Sequence, residues 1–465
     1  MENSVKERRS GTMPPSRVAG MARNCAQIAV EAFAGSLLGH RPADRTLHEI
    51  CRSNHQLGSR DRRIISETLF SLLRWWGWLC KLAPKNFVEA WRSGAPSAPL
   101  HVQRWYGCLA ASWLLENRFQ LPPAVMYWLR EAGLYPELFS GLPADTPVRE
   151  RRKYLRGFFH GGEMPPLTVE ELLPEWVPAE LAPEEKVDYA VLIEWFQRRP
   201  PVWLRAQCAD VERLRAQLSK ESDGAVRPLP HPHLPEALCV RHAGANFRGM
   251  TAFADGLFEV QDLASQAVAQ VCAPRPGEQW WDACAGGGGK SLHLSRLMQN
   301  CGTLLATDLR GSKLEELKLR ARRAHLNNVR MKEWAGKSGS DYRDRFDGVL
   351  VDAPCSCSGT WRRSPDGRWN TARGKIEEFA RLQEQILNAA AEGVKPGGKL
   401  VYSTCSMFRR ENQGVVEAFL AAHPQFILVP HRNPLTGGTA EGMTQVWPWP
   451  DDNDAMFTAL MVRRK

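Results

Sequence analysis

The 465-residue sequence lacks any uninterrupted apolar run of the ~18 residues that a membrane-spanning helix requires. Its first ten residues are rich in charge and lead toward Pro14 and Pro15, not into the apolar stretch of a secretory signal. No two of its 12 cysteines form a Cys-x-x-Cys pair, which argues against a zinc site or a disulfide framework. We therefore expect a soluble cytoplasmic protein with reduced thiols, no metal and no membrane partner.

Tyrosine is scarce, with 7 residues against 17 tryptophans, and acidic residues are outnumbered, which leaves a net charge of +10. A positive balance favours polyanionic partners, because Lys and Arg displace the counterions of nucleic acids. Exposed tryptophans would add stacking platforms for bases. At roughly 150 residues per domain, the length predicts about three domains.

Composition and apolar spacing change along the chain and predict five segments. Residues 1–20 mix charge with Gly, Pro and Ser and are expected to form a flexible tail. Residues 21–160 carry apolar positions at helical spacing, whereas the five prolines between Gly161 and Pro183 indicate a linker over 161–199. Residues 200–265 read as a small α+β module, and residues 266–465 as the catalytic domain.

The C-terminal segment alternates strand-length apolar runs with helical stretches. The runs cover residues 279–281, 303–306, 348–351 and 399–402, and a last edge strand is expected over 455–462. Strand and helix in regular alternation predict a parallel, doubly wound sheet with both faces covered. Ligands of such sheets bind at the carboxyl ends of the strands.

A glycine-rich stretch, Asp282-Ala283-Cys284-Ala285-Gly286-Gly287-Gly288-Gly289-Lys290-Ser291, follows the first of these strands and opens a helix. A phosphate-binding loop would need its first glycine at position 284, where the sequence has Cys284. A nucleoside site needs an acidic residue about 20 positions further on, and Asp308 ends the next strand. An adenosyl ligand therefore fits better than a triphosphate.

Two cysteines stand at the ends of two later strands. Cys355 lies in Asp352-Ala353-Pro354-Cys355-Ser356-Cys357-Ser358-Gly359, and Cys405 lies in Tyr402-Ser403-Thr404-Cys405-Ser406. A lone buried cysteine is usually a small apolar residue of the core. Two thiols at strand ends beside a nucleoside site favour chemistry over packing.

These motifs resemble those of the bacterial ribosomal-RNA cytosine-5 methyltransferases of the Sun/Nop type. The resemblance rests on residues 282–290, Asp308, residues 352–355, Thr404-Cys405-Ser406, Glu411-Asn412 and Gln261-Asp262. It implies a multidomain protein with an all-α NusB-like N-terminal domain, a small α+β (RRM-like) module and an α/β Rossmann-like class I methyltransferase domain. Residues 57–63 carry the likeness to the NusB-like domain.

The same resemblance implies a role for each site residue. Cys405 would add to carbon 6 of cytosine, and Cys355 would assist loss of the proton from carbon 5. Asp352 would bind the edge of the base, and Lys290 would orient Asp352 or the base. The cofactor S-adenosylmethionine would be held by Cys284, Ala285, Gly286, Gly287, Gly288, Gly289, Lys290, Asp308 and Asp352.

Two further features bear on binding. The family usually has an acidic residue after the third strand, where this sequence has Ala335, so Glu333 or Trp334 would have to replace it. The loop after Cys355 is basic and holds tryptophans, which fits a target base that must be unstacked. We expect RNA to contact Arg362, Arg363, Arg368 and Trp369.

The combined prediction is a monomeric enzyme that methylates carbon 5 of a cytosine in RNA. The implied substrate is 16S ribosomal RNA, free or in a small-subunit assembly intermediate. Transfer RNA stays open as a substrate within the same enzyme class. A non-catalytic RNA-binding assembly factor is the alternative from another class, and an NTPase comes third.

Overall fold

A computed structural model describes residues 14–95, 100–116, 121–135, 143, 145–159, 163–241, 245–337, 339 and 341–465. The chain divides into two compact units, one reaching to Glu175 and including Ser364–Asn370, the other formed by Trp176–Arg363 and Thr371–Lys465. None of the helices in the described ranges has the length and apolar character needed to cross a membrane. Of the predicted tail, residues 1–13 lie outside the described ranges.

The first unit is helical. Its helices are α1 (Pro15–Leu37), α2 (Ala43–Ser53), α3 (Ser59–Leu79), α4 (Lys85–Ser93), α5 (Tyr106–Leu115), α6 (Pro123–Glu131) and α7 (Val148–Arg151). The tail prediction is wrong for residues 15–20, because Pro15 starts α1 at a position where the missing N–H of proline costs nothing.

Aromatic side chains fill the core of this helical unit. The ring of Trp76 lies 4.8 Å from that of Phe33 and 6.4 Å from that of Trp105, centroid to centroid. Trp75 and Trp78 on the same helix are fully buried. These tryptophans therefore stabilise the fold by burial of large apolar surfaces and are not available for base stacking.

The second unit begins inside the predicted linker. Residues 176–199 include α8 (Val177–Glu180) and α9 (Tyr189–Phe196), so the linker prediction is wrong for this part. Pro178 lies in the first turn of α8, where proline is tolerated. The Asp188 side chain caps α9 by accepting from the amides of Ala190 and Val191.

A small antiparallel sheet follows, in the strand order β2-β3-β1-β4. Its strands are β1 (Val202–Ala206), β2 (Leu229–Pro230), β3 (Ala237–Val240) and β4 (Phe258–Val260), with helices α10 (Val211–Glu221) and α11 (Thr251–Ala254). The sequence pattern indicates β1, β3 and α10, whereas β2 and β4 have only two or three residues and leave no periodic signal. The predicted boundary at residue 265 falls inside the next helix, α12 (Leu263–Cys272).

The large sheet has the order β10-β14-β9-β8-β5-β6-β7. Its strands are β5 (Gln279–Asp282), β6 (Thr303–Asp308), β7 (Val329–Glu333), β8 (Phe346–Asp352), β9 (Val394–Thr404), β10 (Phe426–Leu428), β13 (Met443–Val446) and β14 (Met456–Arg463), and a separate pair is formed by β11 (His431–Arg432) and β12 (Thr439–Ala440). The edge-strand prediction for 455–462 is wrong, because β14 pairs with β9, β10 and β13.

Helices cover both faces of this sheet, as the strand–helix alternation predicts. They include α13 (Gly289–Leu297), α14 (Gly311–Arg323), α16 (Arg373–Ala391) and α17 (Gln413–Ala422), whereas α15 (Gly367–Asn370) belongs to the first unit. Strands β7, β6, β5, β8 and β9 run parallel, so their carboxyl ends lie along one edge. The acidic residues Asp282, Asp308 and Asp352 end three of them.

Candidate functional site

The glycine-rich loop between β5 and α13 has a conformation that only glycine adopts without strain. Gly286 and Gly288 have positive φ angles of 52° and 85°. A Cβ on Gly288 would lie 2.5 Å from Leu317, whereas a Cβ on Gly286 would meet nothing within 4 Å. The loop is therefore packed against the fold on one side and open at Gly286, which leaves room for a ligand against the backbone.

Asp308 closes this opening at the end of β6. Its Oδ2 accepts from the amide of Gly286 at 3.0 Å, and its Oδ1 accepts from the amide and Nε of Arg310 at 2.9 and 3.1 Å. Burial raises the pKa of Asp308, but the bonds from Arg310 and Gly286 outweigh it and the net shift is downward. A fixed carboxylate beside an open glycine suits the hydroxyls of a ribose.

A buried carboxylate lies under the loop. Ser291 in α13 donates to Oδ2 of Asp282 at 2.6 Å, and neither side chain is exposed. Burial raises the pKa of Asp282 to about 7. Asp282 thus ties the start of α13 to the end of β5 and stays inside the fold.

Lys290 and Asp352 form an ion pair at the carboxyl edge of the sheet, with 2.8 Å between Nζ and Oδ2. Burial raises the pKa of Asp352, and Lys290 offsets this rise only in part. Burial lowers the pKa of Lys290, but Asp352 outweighs it and the net shift is upward. The ammonium of Lys290 therefore holds the Asp352 carboxyl in one orientation at this edge.

The two predicted cysteines meet beside this ion pair. The Sγ atoms of Cys355 and Cys405 lie 3.4 Å apart, the distance of a hydrogen bond between thiols. Cys355 is 7% exposed, and Cys405 is partly exposed. The pKa of Cys405 is raised overall, because the bond with Cys357 and burial outweigh the lowering effects of the bond with Cys355 and of the Lys290 charge.

Cys357 supplies a third thiol. The sulfurs of Cys355, Cys357 and Cys405 all lie within 4.8 Å of one another. Hydrogen bonds from Cys355 and Cys405 hold the pKa of Cys357 well below its usual range. In the same cluster, the bonds to Cys357 and Cys405 raise the pKa of Cys355.

A buried carboxylate fixes both cysteine loops. Oε1 of Glu411 accepts from the amide of Ser356 at 2.8 Å and from Nε2 of Gln383 at 3.1 Å, and Oε2 accepts from the hydroxyls of Ser356 and Ser406 at 2.5 and 2.6 Å. Glu411 is not exposed at all. Since Ser356 follows Cys355 and Ser406 follows Cys405, Glu411 sets the separation of the two thiols.

Asn412 and Gly359 complete this frame. Asn412 accepts from the hydroxyl of Thr404 at 2.5 Å and donates to the carbonyl of Ser406 at 3.0 Å. The amide of Gly359 donates to the carbonyl of Cys405 at 2.9 Å. Glu411-Asn412 is among the motifs that carry the resemblance, but no role was predicted for it. A Glu-Asn pair shortly after Thr404-Cys405-Ser406 was the signal that could have pointed to this role.

Comparison with known proteins fits this geometry. The model of the family "16S rRNA methyltransferase RsmB/F" matches residues 269–462. The ribosomal RNA small subunit methyltransferase B of Sodalis glossinidius is 30% identical over 76% of this chain and 85% of its own length. The chain belongs to the RsmB/F family. It is an S-adenosylmethionine-dependent RNA methyltransferase.

Solved structures support the fold of this RsmB/F methyltransferase. The crystal structure of PH0851 superposes with a TM-score of 0.70 at 25% identity and covers 98% of this chain and 100% of that one. A methyltransferase homolog protein from Pyrococcus horikoshii has a TM-score of 0.52 at 26% identity and covers 61% and 92%. Membership of the family decides against an NTPase and against a protein without catalytic activity.

The RNA-binding prediction is wrong for Arg362, because the methyltransferase buries it. Arg362 is fully buried, pairs with Asp452 at 2.5 Å and donates to the carbonyl of Asn453 at 3.0 Å. Arg363 is 38% exposed and binds Asp262 and Asp454 at 3.0 and 3.2 Å. These guanidinium groups are held by carboxylates of the same chain.

The other half of that loop belongs to the helical unit. Arg368 is fully buried and donates to the carbonyls of Arg74 and Leu172 at 3.4 and 3.1 Å. Nε1 of Trp369 donates to the carbonyl of Leu73 at 2.6 Å. The sequence predicts that these side chains are available to RNA, because it does not show the backbone carbonyls that accept hydrogen bonds from them.

The structure at the end of β7 distinguishes between Glu333 and Trp334 as substitutes for the acidic residue that is missing at Ala335. Trp334 is 9% exposed, its ring lies 4.9 Å from that of Trp281, and its Nε1 donates to the carbonyl of Lys337 at 2.8 Å. It belongs to the core, so the idea that it stacks on the cofactor is wrong. Glu333 is exposed and pairs in register with Asp308 on β6.

Sequence reasoning missed the support behind the glycine-rich loop. Nη1 of Arg205 donates to the carbonyl of Gly289 at 2.8 Å and to Oε1 of Gln261. Arg205 is fully buried, and burial lowers its pKa to about 9. An arginine in the middle of an apolar strand, β1, was the signal that could have shown a buried partner.

Arg362 tests the correction of the RNA-binding loop. We expect Arg362→Ala to lower the free energy of unfolding by about 3 kcal/mol, because it leaves buried polar groups unpaired. RNA affinity per folded molecule should stay unchanged. Chemical denaturation and RNA titration measure the two effects. The exposed control Arg343→Ala should change stability little, and a loss of RNA affinity without a loss of stability would restore the original interpretation.

Asp282 predicts a pH dependence of stability. Its pKa rises from 3.8 in the unfolded chain to about 7 in the fold, so the folded state binds the proton more tightly. The contribution of Asp282 to the free energy of unfolding is fully present below about pH 4. It falls by up to ~4 kcal/mol as the pH rises toward about 7. Asp282→Asn should remove this decline when unfolding is measured at a series of pH values. Parallel pH profiles of the variant and the wild type would contradict it.

Proposed function

We propose that this methyltransferase transfers the methyl group of S-adenosylmethionine to carbon 5 of a cytosine in 16S ribosomal RNA, through a transient bond between Sγ of Cys405 and carbon 6 of the base. The observation that carries the proposal is the 3.4 Å separation of the Cys355 and Cys405 sulfurs beside the Lys290–Asp352 pair. One thiol can bond to the base while the other handles a proton.

Carbon 5 of cytosine is a poor nucleophile and needs activation. Addition of the Cys405 thiolate to carbon 6 forms the sulfur–carbon bond and moves the ring double-bond electrons toward carbon 5 and nitrogen 3. The Lys290 ammonium and the bond with Cys355 offset part of the rise in the pKa of Cys405 that Cys357 and burial cause, and so assist formation of the thiolate. Partial exposure of Cys405 gives an unstacked base access to the sulfur.

Asp352 stabilises the charge that develops on the ring. Because burial raises its pKa, its carboxyl can hold a proton and donate it in a hydrogen bond to nitrogen 3. Lys290 keeps the carboxyl in place through the 2.8 Å ion pair. The electrons that leave the double bond therefore meet a positive environment.

Cys355 completes the reaction. One of the bonds that raise the pKa of Cys355, that with Cys405, is lost once Cys405 is bonded to the base. Cys355 then gives its own proton to solvent and takes the proton from carbon 5, the carbon–hydrogen electrons restore the 5,6 double bond, and the carbon 6–sulfur electrons return to Cys405. The net reaction releases one proton to solvent. The 3.4 Å contact keeps Cys355 within reach of the ring atom next to the one that Cys405 attacks.

S-adenosylmethionine supplies an electrophilic methyl group when it is bound. The residues that would hold it are those of the open glycine loop, with Asp308 on the ribose and Asp352 toward the methionine end. The space at Gly286 and the carboxylate fixed beside it fit a nucleoside. Cys284, Ala285, Gly287, Gly288 and Gly289 complete this proposed set.

The choice of 16S ribosomal RNA rests on relatives. The proteins from Sodalis glossinidius and Klebsiella pneumoniae that this chain resembles are named ribosomal RNA small subunit methyltransferase B. Binding of ribosomal RNA by the helical N-terminal unit and its NusB-like character stay predictions. The RRM-like character of the small sheet, the cytoplasmic location and the monomeric state also stay predictions.

The two cysteines give the decisive test. Cys405→Ala should abolish methyl transfer, because no bond to carbon 6 can form. Cys355→Ala should transfer the methyl group once and then stall, leaving a protein–RNA adduct that survives denaturant. Incubation with S-adenosylmethionine and small-subunit RNA, followed by a denaturing gel and sequencing of the attached RNA, measures both.

Cys301→Ala is the matched control, since Cys301 is an exposed cysteine outside the site. It should turn over normally and form no lasting adduct. Adducts from Cys405→Ala, or identical behaviour of the two site variants, would contradict the division of roles. An adduct with transfer RNA but none with ribosomal RNA would overturn the substrate and keep the chemistry.

Glu333 is proposed to replace the acidic residue missing at Ala335. It ends β7 opposite Asp308, and its carboxylate lies against Gly311 at the start of α14. Glu333→Gln should weaken S-adenosylmethionine binding roughly tenfold, the loss expected for one charge-assisted hydrogen bond. Calorimetric titration measures it, and the exposed control Glu315→Gln should bind normally. Equal affinity of Glu333→Gln and wild type would remove Glu333 from the site.

A further inference from the structure

The proposed reaction uses two of the three thiols in the cluster and leaves Cys357 without a task. The three sulfurs lie within 4.8 Å of one another, which makes them the group of potential metal ligands found among the described residues. Cys355 and Cys357 are supplied by the loop after β8, and Cys405 by the residue after β9. This arrangement is denser in thiols than methyl transfer requires.

We propose that Cys355, Cys357 and Cys405 form a binding site for a soft divalent cation of the Zn²⁺ or Cd²⁺ class, and that the bound ion blocks methyl transfer by occupying the sulfur of Cys405. The inhibitory half of this proposal rests on the proposed function of Cys405. The binding half rests on the geometry of the sulfurs alone.

The donor set selects the class of ion. Thiolates favour soft cations over Mg²⁺ and Ca²⁺, which prefer oxygen. Zinc–sulfur bonds of about 2.3 Å in a tetrahedron place the sulfurs about 3.8 Å apart. The sulfurs of Cys355 and Cys405 lie 3.4 Å apart, and all three sulfurs lie within 4.8 Å of one another, so the cluster is close to that spacing. Small side-chain rotations suffice to bind an ion.

The backbone already holds the three residues in position. Cys357 has a positive φ of 55°, and its carbonyl accepts from the amide of Thr360 at 3.0 Å. Glu411 fixes the adjoining Ser356, and Gly359 donates to the carbonyl of Cys405. The three ligands are therefore ordered before an ion binds, so binding loses little conformational entropy.

Charge and access also fit. As each thiol forms a bond to the ion, it gives its proton to solvent, and three thiolates around a divalent ion leave one net negative charge. The ammonium of Lys290, which already acts on Cys405, faces that charge. Cys357 is exposed, so water can reach the ion and fill the fourth position, as in open zinc sites.

The test titrates the full chain with Cd²⁺ under anaerobic conditions, with a phosphine reductant in place of a thiol. Cadmium–thiolate bonds give an ultraviolet charge-transfer absorption, which reports binding without any activity. One tightly bound Cd²⁺ per chain is expected in the wild type. Cys357→Ser should weaken binding at least about tenfold, because changes even to groups behind metal ligands cost about 10–100-fold.

Inhibition is measured in parallel, with the metal-free activity of each variant as its own reference. The Cd²⁺ concentration for half-inhibition should rise at least about tenfold in Cys357→Ser. The matched control Cys301→Ser removes an exposed thiol elsewhere and should leave both binding and half-inhibition at wild-type values. Equal Cd²⁺ affinity of Cys357→Ser and wild type would overturn the site.

The two proposals fail in different ways. If Cys405→Ala loses the charge-transfer absorption but keeps methyl transfer, the thiol site stands and the proposed nucleophile falls. If Cys405→Ala is inactive while Cd²⁺ binding is the same in wild type and Cys357→Ser, the nucleophile stands and the three-thiol site falls. Zn²⁺ in place of Cd²⁺ in the inhibition assay should give the same order of variants.

Discussion

One buried carboxylate, that of Glu411, holds the reactive part of this protein together. It accepts four hydrogen bonds from three residues, two of which are neighbours of the site cysteines. A buried carboxylate is stable only when such donors replace the water it has lost. The loops after β8 and β9 are therefore locked to each other through Ser356 and Ser406, and the separation of the thiols follows.

The charges of the site are set by three aspartates at the carboxyl edge of the parallel sheet. Parallel strands bring Asp282, Asp308 and Asp352 to one edge of the sheet, and each meets a different neighbour. Ser291 holds Asp282 inside the fold, Arg310 keeps Asp308 charged, and Lys290 pairs with Asp352. Three carboxyls of one residue type thus have different partners: a buried hydroxyl, an arginine with two backbone amides, and a lysine ammonium.

Sequence reasoning succeeded where the chain repeats a strong local pattern. The strand–helix alternation predicted the parallel sheet, and the topology of such sheets predicted that Asp308, Asp352, Cys355 and Cys405 end at one edge. It failed for Arg362, Arg368 and Trp334, whose types suggest exposure or stacking. Their partners, Asp452, the carbonyl of Leu172 and Trp281, lie between 53 and 196 residues away in the sequence.

The amino-acid sequence by itself determined that the protein is a methyltransferase and predicted its reactive groups, because the glycine-rich loop and the cysteine motifs are local and each follows a strand. Tertiary structure alone decided which arginines form ion pairs with carboxylates inside the protein. It also decided that Glu411 sets the thiol separation and that the Cys357 sulfur lies beside those of Cys355 and Cys405. Each depends on atoms brought together by long-range pairing and burial. Spacing along the chain carries no record of such contacts, since the distance between two side chains is set by the packing of the strands and helices that bear them.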